Sequence, residues 1–350
     1  MRQHGGWLRV TLLVVVALGC AATLNSSIAA AQATPAASPS AAGGGVGPAI
    51  QWLLGQQAED GGFIGFEGES DPGLTSDAII AMVAAREVGA SVDTDQAVAR
   101  AVEFLETTSA DYAESGAGQA AKLALAAMAV GADPTDLGGS DLLASIEDDL
   151  DEETGIYGTG VFDHALAMLA LRAAGRDVAA PALDALIKRA GPEGGWAFDG
   201  NPEPAALDSN TTALVLQALV AVGFGDNALL AAGLDFLRTA QEDDGAFRFQ
   251  PSEGFPADAN STGLVVQGLI AVGEDPASES WNNAAGALAA FQNQTGAFRY
   301  SMDQPEDNIF ATVQAIPALV GLAQPILPAG YVPATPAATP VARVERSLAA

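Results

Sequence analysis

The chain has 350 residues, 49% of them apolar, with 43 acidic against 14 basic side chains and a formal charge of −29. That balance argues against nucleic acid and anionic lipid surfaces, which need basic patches, while the apolar share is enough for a sizeable core. Cys20 is the one cysteine, so a disulfide framework is excluded.

Arg2 and Arg9 precede a short apolar core, VTLLVVVALG, which predicts an export signal over residues 1–31. Ala29-Ala30-Ala31 supplies a small-x-small cleavage site that leaves Gln32 first. A competing reading takes ALGC, ending at Cys20, as a lipobox with a lipid-anchored cysteine, although its leading alanine departs from the usual branched aliphatic. Both readings make the protein secreted or cell-surface. Cleavage at Ala31 removes two arginines, His4 and Cys20, takes the charge from −29 to −31, and leaves His164 as the remaining histidine.

Residues 32–47 include TPAASPSAAGGGVG and read as a linker. Residues 325–350, rich in Pro and Ala, read as a second spacer. Neither has apolar residues in a burial pattern, so the body is expected over residues 48–324.

The body repeats. GGFIGF begins at Gly61, GGWAF at Gly194, GAFRF at Gly245 and GAFRY at Gly296, with degenerate copies near Asp111-Tyr112 and at Gly155-Ile156-Tyr157. Six units spaced about 39 to 51 residues apart fall in the range of helix-pair arrays. An Ala-rich apolar segment ending in glycine follows each turn, such as ALVLQALVAVG and GLVVQGLIAVG. A more amphipathic segment, such as ALLAAGLDFLRTAQ, precedes it. Both have three- and four-residue apolar spacing, so about twelve helices in six pairs are predicted. The uniformly apolar helices belong inside and the charged-faced ones outside. Closing six pairs into a double ring leaves no naked terminal repeat; an open superhelix is the alternative.

WLLGQQAEDGGF (Trp52–Phe63) and FLRTAQEDDGAF (Phe236–Phe247) resemble the QW motif of squalene and oxidosqualene cyclases and the related prenyltransferase repeat. ALAAFQNQTGAF keeps Leu288, Gln292, Gly296 and Phe298, whereas the copy ending at Trp196 has Ala190 in place of glutamine. The resemblance spans roughly residues 47–324 and implies an all-α (α/α)6 toroid. It says much less about activity. Gln57, Gln241, Gln292 and their aromatics read as a stability device, the glutamines bonding free backbone groups at helix ends.

Function is sought at the start of the inner helices, where DSNTTALVLQALVAVG (Asp208–Gly223) returns fifty residues later as DANSTGLVVQGLIAVG (Asp258–Gly273). Such acids and amides cap helices, and in a ring they also gather at one mouth. The candidate ligand-binding residues are Asp163, His164, Asp208, Asn210, Asp258, Asn260, Asp307 and Asn308. The class II terpene cyclases, which protonate an alkene through an Asp-x-Asp-Asp-Thr-Ala motif, align without a gap on Asp208, Thr212 and Ala213. Asn210 and Thr211 stand where that resemblance needs acids, and Asp258-Ala259-Asn260-Ser261 departs likewise, so the general acid is missing.

The zinc set of the protein prenyltransferases and the Cys–Gln crosslink of the thioester toroids both need a cysteine that the mature chain lacks. The exported cobalamin carriers related to intrinsic factor share the ring and can ligate cobalt through histidine, which would give His164 a task. They close with a second, β-rich domain for which there is no room here. Calcium has only weak support, from Asp208-x-Asn210 and Glu242-Asp243-Asp244, and no loop signature. No cofactor is expected. The expectation is an exported, non-enzymatic toroid that presents a cavity to a small apolar or isoprenoid-like ligand or a cell-surface protein partner. The alternatives are an enzyme with a relocated acid at Asp163 or Asp258, a surface scaffold, and a corrinoid-binding protein.

Overall fold

Helix formation follows the repeat. In a computed structural model, which describes residues 45–252 and 254–333, the chain forms twelve α-helices, one short 3-10 turn and one β-hairpin. The inner helices are α2 (Pro72–Glu87), α4 (Ala117–Ala129), α6 (Val161–Ala173), α8 (Ser209–Ala221), α10 (Ala259–Val272) and α12 (Ile309–Leu319). The outer helices are α1 (Val46–Leu54), α3 (Asp95–Ala113), α5 (Leu142–Asp148), α7 (Ala180–Lys188), α9 (Asn227–Thr239) and α11 (Ala284–Ala290). Each inner helix is buried nearly all round, whereas an outer helix such as α9 buries only Gly233, Phe236 and Leu237. The glycines that close the inner helices, from Gly89 to Gly321, all take φ between 71° and 86°, a region that a side chain would strain.

The inner helices pack in cyclic order, and α12 returns to α2. The first and sixth repeats therefore touch, and the ring is closed rather than spiral. Gln292 bonds both the N–H and the carbonyl of Gly45, at 2.6 and 2.9 Å. Phe66, on the loop entering α2, stacks on Phe310 of α12 with ring centroids 3.9 Å apart. Small residues bring neighbouring inner helices close. A Cβ added at Gly263 would lie 3.1 Å from the Gln314 carbonyl, and one at Gly268 would lie 3.0 Å from Ala213.

The motif glutamines clip successive repeats together. Gln57 donates to the Gly61 and Ala97 carbonyls, and Gln241 donates to those of Gly245 and Trp281. Each turn is thus tied to the outer helix region of the next repeat. In the repeat with Ala190, the indole of Trp196 donates instead to Leu186 of its own repeat.

Four details depart from expectation. There is no turn at Asp111-Tyr112, which lie inside α3, the longest helix. The sixth repeat adds a hairpin, β1 (Phe298–Ser301) with β2 (Gln304–Asn308). Helix α1 begins at Val46, inside the expected linker. The packed body also runs into the expected tail, where Ile326 is buried and Leu327 and Tyr331 pack on the core. The expected export signal, Cys20, most of the expected first linker and residues beyond 333 lie outside the described residues.

Candidate functional site at the ring axis

The direction each inner-helix residue faces follows from one repeated contact. Take as zero the residue before each inner helix: Asp71, Gly116, Gly160, Asp208, Asp258 and Asn308. Position four is then Thr75, Thr212, Thr262 or Thr312 in four of the repeats, and each hydroxyl accepts the turn N–H of Phe63, Trp196, Phe247 or Phe298 at 2.8–3.0 Å. Each hydroxyl also donates at 2.7 Å to the carbonyl of residue zero. Position four therefore faces outward, toward the turn. A helix advances about 100° per residue, so positions two, six and nine lie roughly 140° to 200° away and face the ring axis.

Much of this face is the apolar filling expected of an inner helix, such as Phe162, Leu166 and Leu169 on α6 and Leu214 and Leu264 on α8 and α10, but part of it is polar. Asn210 and Asn260 stand at position two, Asp77, Lys122 and Gln314 at position six, and Gln217 and Gln267 at position nine. The Asn260, Gln217 and Gln314 amides are buried, with neither nitrogen nor oxygen bonded within the protein. Gln267 donates to the Gln314 carbonyl at 3.4 Å, but its oxygen has no partner. Asp77 bonds Lys122 through Oδ2 at 2.8 Å while Oδ1 stays unpartnered. Buried polar atoms are nearly always paired, so their concentration along one axis calls for a function.

No family model matches the sequence, and no curated protein matches it. Solved structures do match in shape. A type II terpene cyclase from Scytonema aligns over 79% of this chain and 95% of its own, with 16% identity and a TM-score of 0.57. An α-1,6-mannanase from Salegentibacter covers 79% of this chain and 98% of its own at 10% identity and a TM-score of 0.57. An unsaturated glucuronyl hydrolase from Bacillus covers 78% and 93% at 12% identity and a TM-score of 0.54. The fold is a terpene cyclase-like α/α toroid.

Within this toroid the expected site residues separate. Only Asn210 and Asn260 face the axis, and Asn210 occupies the position at which the cyclase resemblance calls for an acid. Asp208 accepts the Thr211 N–H at 2.7 Å and the Phe198 N–H at 3.0 Å. Asp258 accepts the N–H and hydroxyl of Ser261, both at 2.8 Å, and Asn308 accepts the Ala311 N–H at 2.9 Å. These three are caps. Asp307 lies exposed on the hairpin and accepts from Asn293 and Thr295. Asp163, at position three, faces α4, where a Cβ on Gly118 would collide with it; burial raises its carboxyl, against the hydrogen bond from Thr159.

His164 corrects the expectation of a ligand. It stands at position four, turned away from the axis in the place the threonines hold elsewhere. Its Nδ1 accepts the Tyr157 N–H at 3.0 Å, which leaves Nε2 as the nitrogen that donates to the Ala182 carbonyl at 2.9 Å. Both nitrogens are spent, and burial pushes the imidazole down to about 4, so it is neutral near pH 7.

Burial pushes other acids up: Asp208 to about 7, against its backbone hydrogen bonds, Asp258 to about 6, and Asp77 to about 6 against the pull of Lys122. Burial pulls Lys122 down, but Asp77 and Tyr112 outweigh it and leave the ammonium above its ordinary value. The pair is therefore an ion pair on the axis-facing side with Asp77 buried and Lys122 13% exposed. Among the described residues no cluster of three or more His, Cys, Asp or Glu is placed to hold a metal, and no helix is long and apolar enough to cross a membrane.

The axial Asp77, Lys122, Gln217, Gln267 and Gln314 escaped the sequence reading. A signal was there: Gln217 and Gln267 recur fifty residues apart inside LVLQAL and LVVQGL, and Lys122 is one of only two lysines in the chain.

Proposed function

We propose that the chain is an exported, non-catalytic toroid that holds a small ligand along the axis of its ring. The observation that carries this reading is the set of unpartnered, axis-facing amides on α8, α10 and α12. A buried amide without a partner costs roughly 1–3 kcal/mol, which a bound ligand can offset. Export rests on Arg2, Arg9, the apolar core behind them and Ala29–Ala31. The non-catalytic part rests on amides at position two and on the capping of Asp208 and Asp258. Structures of the same fold bind dissimilar molecules at low identity: the terpene cyclase a geranylgeranyl dihydroxybenzoate, the mannanase an α-1,6-mannotriose.

The test is to recover the protein from its native producer, determine its amino-terminal residue, and identify any small molecule it carries by extraction and mass spectrometry. A stoichiometric ligand on a chain beginning at Gln32 is the expected result. A protein that carries nothing and binds nothing added to it is a scaffold, and the reading fails.

One observation favours a second reading, an enzyme with its acid elsewhere. Asp77 faces the axis, has a free Oδ1, and is pushed up to about 6. Turnover of squalene or a prenyl diphosphate that Asp77→Asn abolishes would establish that reading in place of the first.

A further inference from the structure

We infer that the axis of the ring is a recognition site for a neutral, polyhydroxylated molecule of the carbohydrate class rather than for a hydrocarbon. This rests on the ligand-holding reading above and names its chemistry.

The charges at the axis cancel locally, because Asp77 and Lys122 face each other at 2.8 Å. The remaining polar groups are carboxamides, each with an N–H donor and an oxygen acceptor side by side. The unpartnered atoms comprise both kinds: amide nitrogens on Asn260, Gln217 and Gln314, and oxygens on those three residues, Gln267 and Asp77. A hydrocarbon satisfies none of these atoms and deepens their desolvation. An anion satisfies the donors and opposes the acceptors. A hydroxyl donates and accepts at one atom, so a molecule bearing several neighbouring hydroxyls matches the mixed set.

A flat apolar surface stands at the level of Asn260, about 6 Å above Gln314 and about 10 Å above Gln217 and Gln267 along the axis. Phe310 occupies position two of α12, the tier of Asn210 and Asn260, and Phe66 lies parallel to it with 6° between the rings. Phe66 is 69% exposed, unusual for a phenylalanine held in a stack. A sugar ring has an apolar C–H face and a hydroxyl edge, and aromatic faces beside amides suit that pairing.

The test is calorimetric titration of the folded mature chain with neutral trisaccharides (maltotriose, mannotriose and chitotriose) and, in detergent, with geranylgeraniol. Saturable binding of a trisaccharide is expected, weakened at least tenfold in Asn260→Leu and in Gln314→Leu while both variants keep the wild-type melting temperature or exceed it. Phe66→Ala, which removes an exposed ring from outside the core, should weaken binding as well. Binding of geranylgeraniol without any trisaccharide overturns the carbohydrate class and leaves the ligand-holding reading standing. Trisaccharide binding that survives both amide substitutions overturns the placement at the axis. If no probe binds, the class is overturned; if the native protein also carries nothing, the ligand-holding reading falls with it.

Discussion

The Gln292 side chain accepts the Gly45 N–H at 2.6 Å and donates to the Gly45 carbonyl at 2.9 Å, joining residues 247 apart in sequence. It is the same type of clip that Gln57 and Gln241 make to Ala97 and Trp281. At those junctions the backbone itself also connects the two repeats, whereas among the described residues the seam of the ring is joined by side-chain hydrogen bonds and packing.

Replacing Gln292 with Ala should therefore cost more than replacing Gln241. The expected loss is about 1–3 kcal/mol for unpaired backbone groups at a partly buried site. Urea denaturation of the two variants measures the difference, and equal losses would show that the seam is held by packing alone.

The outward-facing hydroxyl is the second joint. Thr262→Val leaves the N–H of the fully buried Phe247 without an acceptor. A loss of about 1–3 kcal/mol is expected, with faster hydrogen exchange at the Phe247 amide. Thr262→Ser keeps the oxygen and should lose much less.

His164 and Asp208 should pull the pH dependence of stability in opposite directions. Folded His164 titrates at about 4 against 6.5 for the free group, so between those values the unfolded chain holds the extra proton. Its stabilising share is complete above 6.5 and declines as pH falls toward 4. Asp208 is raised from 3.8 to about 7, so the folded chain holds the extra proton, and stability grows as pH falls through 7 toward 3.8. His164→Thr, which supplies the hydroxyl used in other repeats, should abolish the first slope. Asp208→Asn, which supplies the cap that Asn308 already provides for α12, should remove the part of the second that begins near pH 7 and leave the parts carried by Asp258 and Asp77, which begin near pH 6. Urea midpoints measured from pH 4 to pH 8 give both slopes.

The axis should show stability traded for recognition. Gln217→Leu removes two unpartnered amide atoms and should stabilise the chain by up to about 1–3 kcal/mol. Asp77→Leu alone strands the Lys122 ammonium and should cost about 3–5 kcal/mol, whereas Asp77→Leu with Lys122→Met should recover most of that loss. A double-mutant cycle by thermal or urea unfolding measures the coupling.

The sequence made the ring legible because its determinants are local. Apolar spacing, closing glycines and the turn motif each act within one repeat, and six copies reinforce one another. The hairpin at Phe298–Asn308 was not legible, since its pairing depends on how the last loop folds back. The axis was harder still. Asn210 and Thr212 look equally polar in DSNTTA, and only the bond from the Trp196 N–H to Thr212 shows which of them faces out. His164 misled for the same reason: next to Asp163 it reads as a ligand, and its outward phase becomes visible only beside the threonines.

Gly263 and Gly268 carry one more consequence. Six cylinders in a circle surround a common axis, and their distance from it depends on how tightly each leans on its neighbour. Residues at those lateral contacts thus set the radius of the ring without facing its axis, and exchanging alanine and glycine there is a route by which lineages of this architecture would retune that radius.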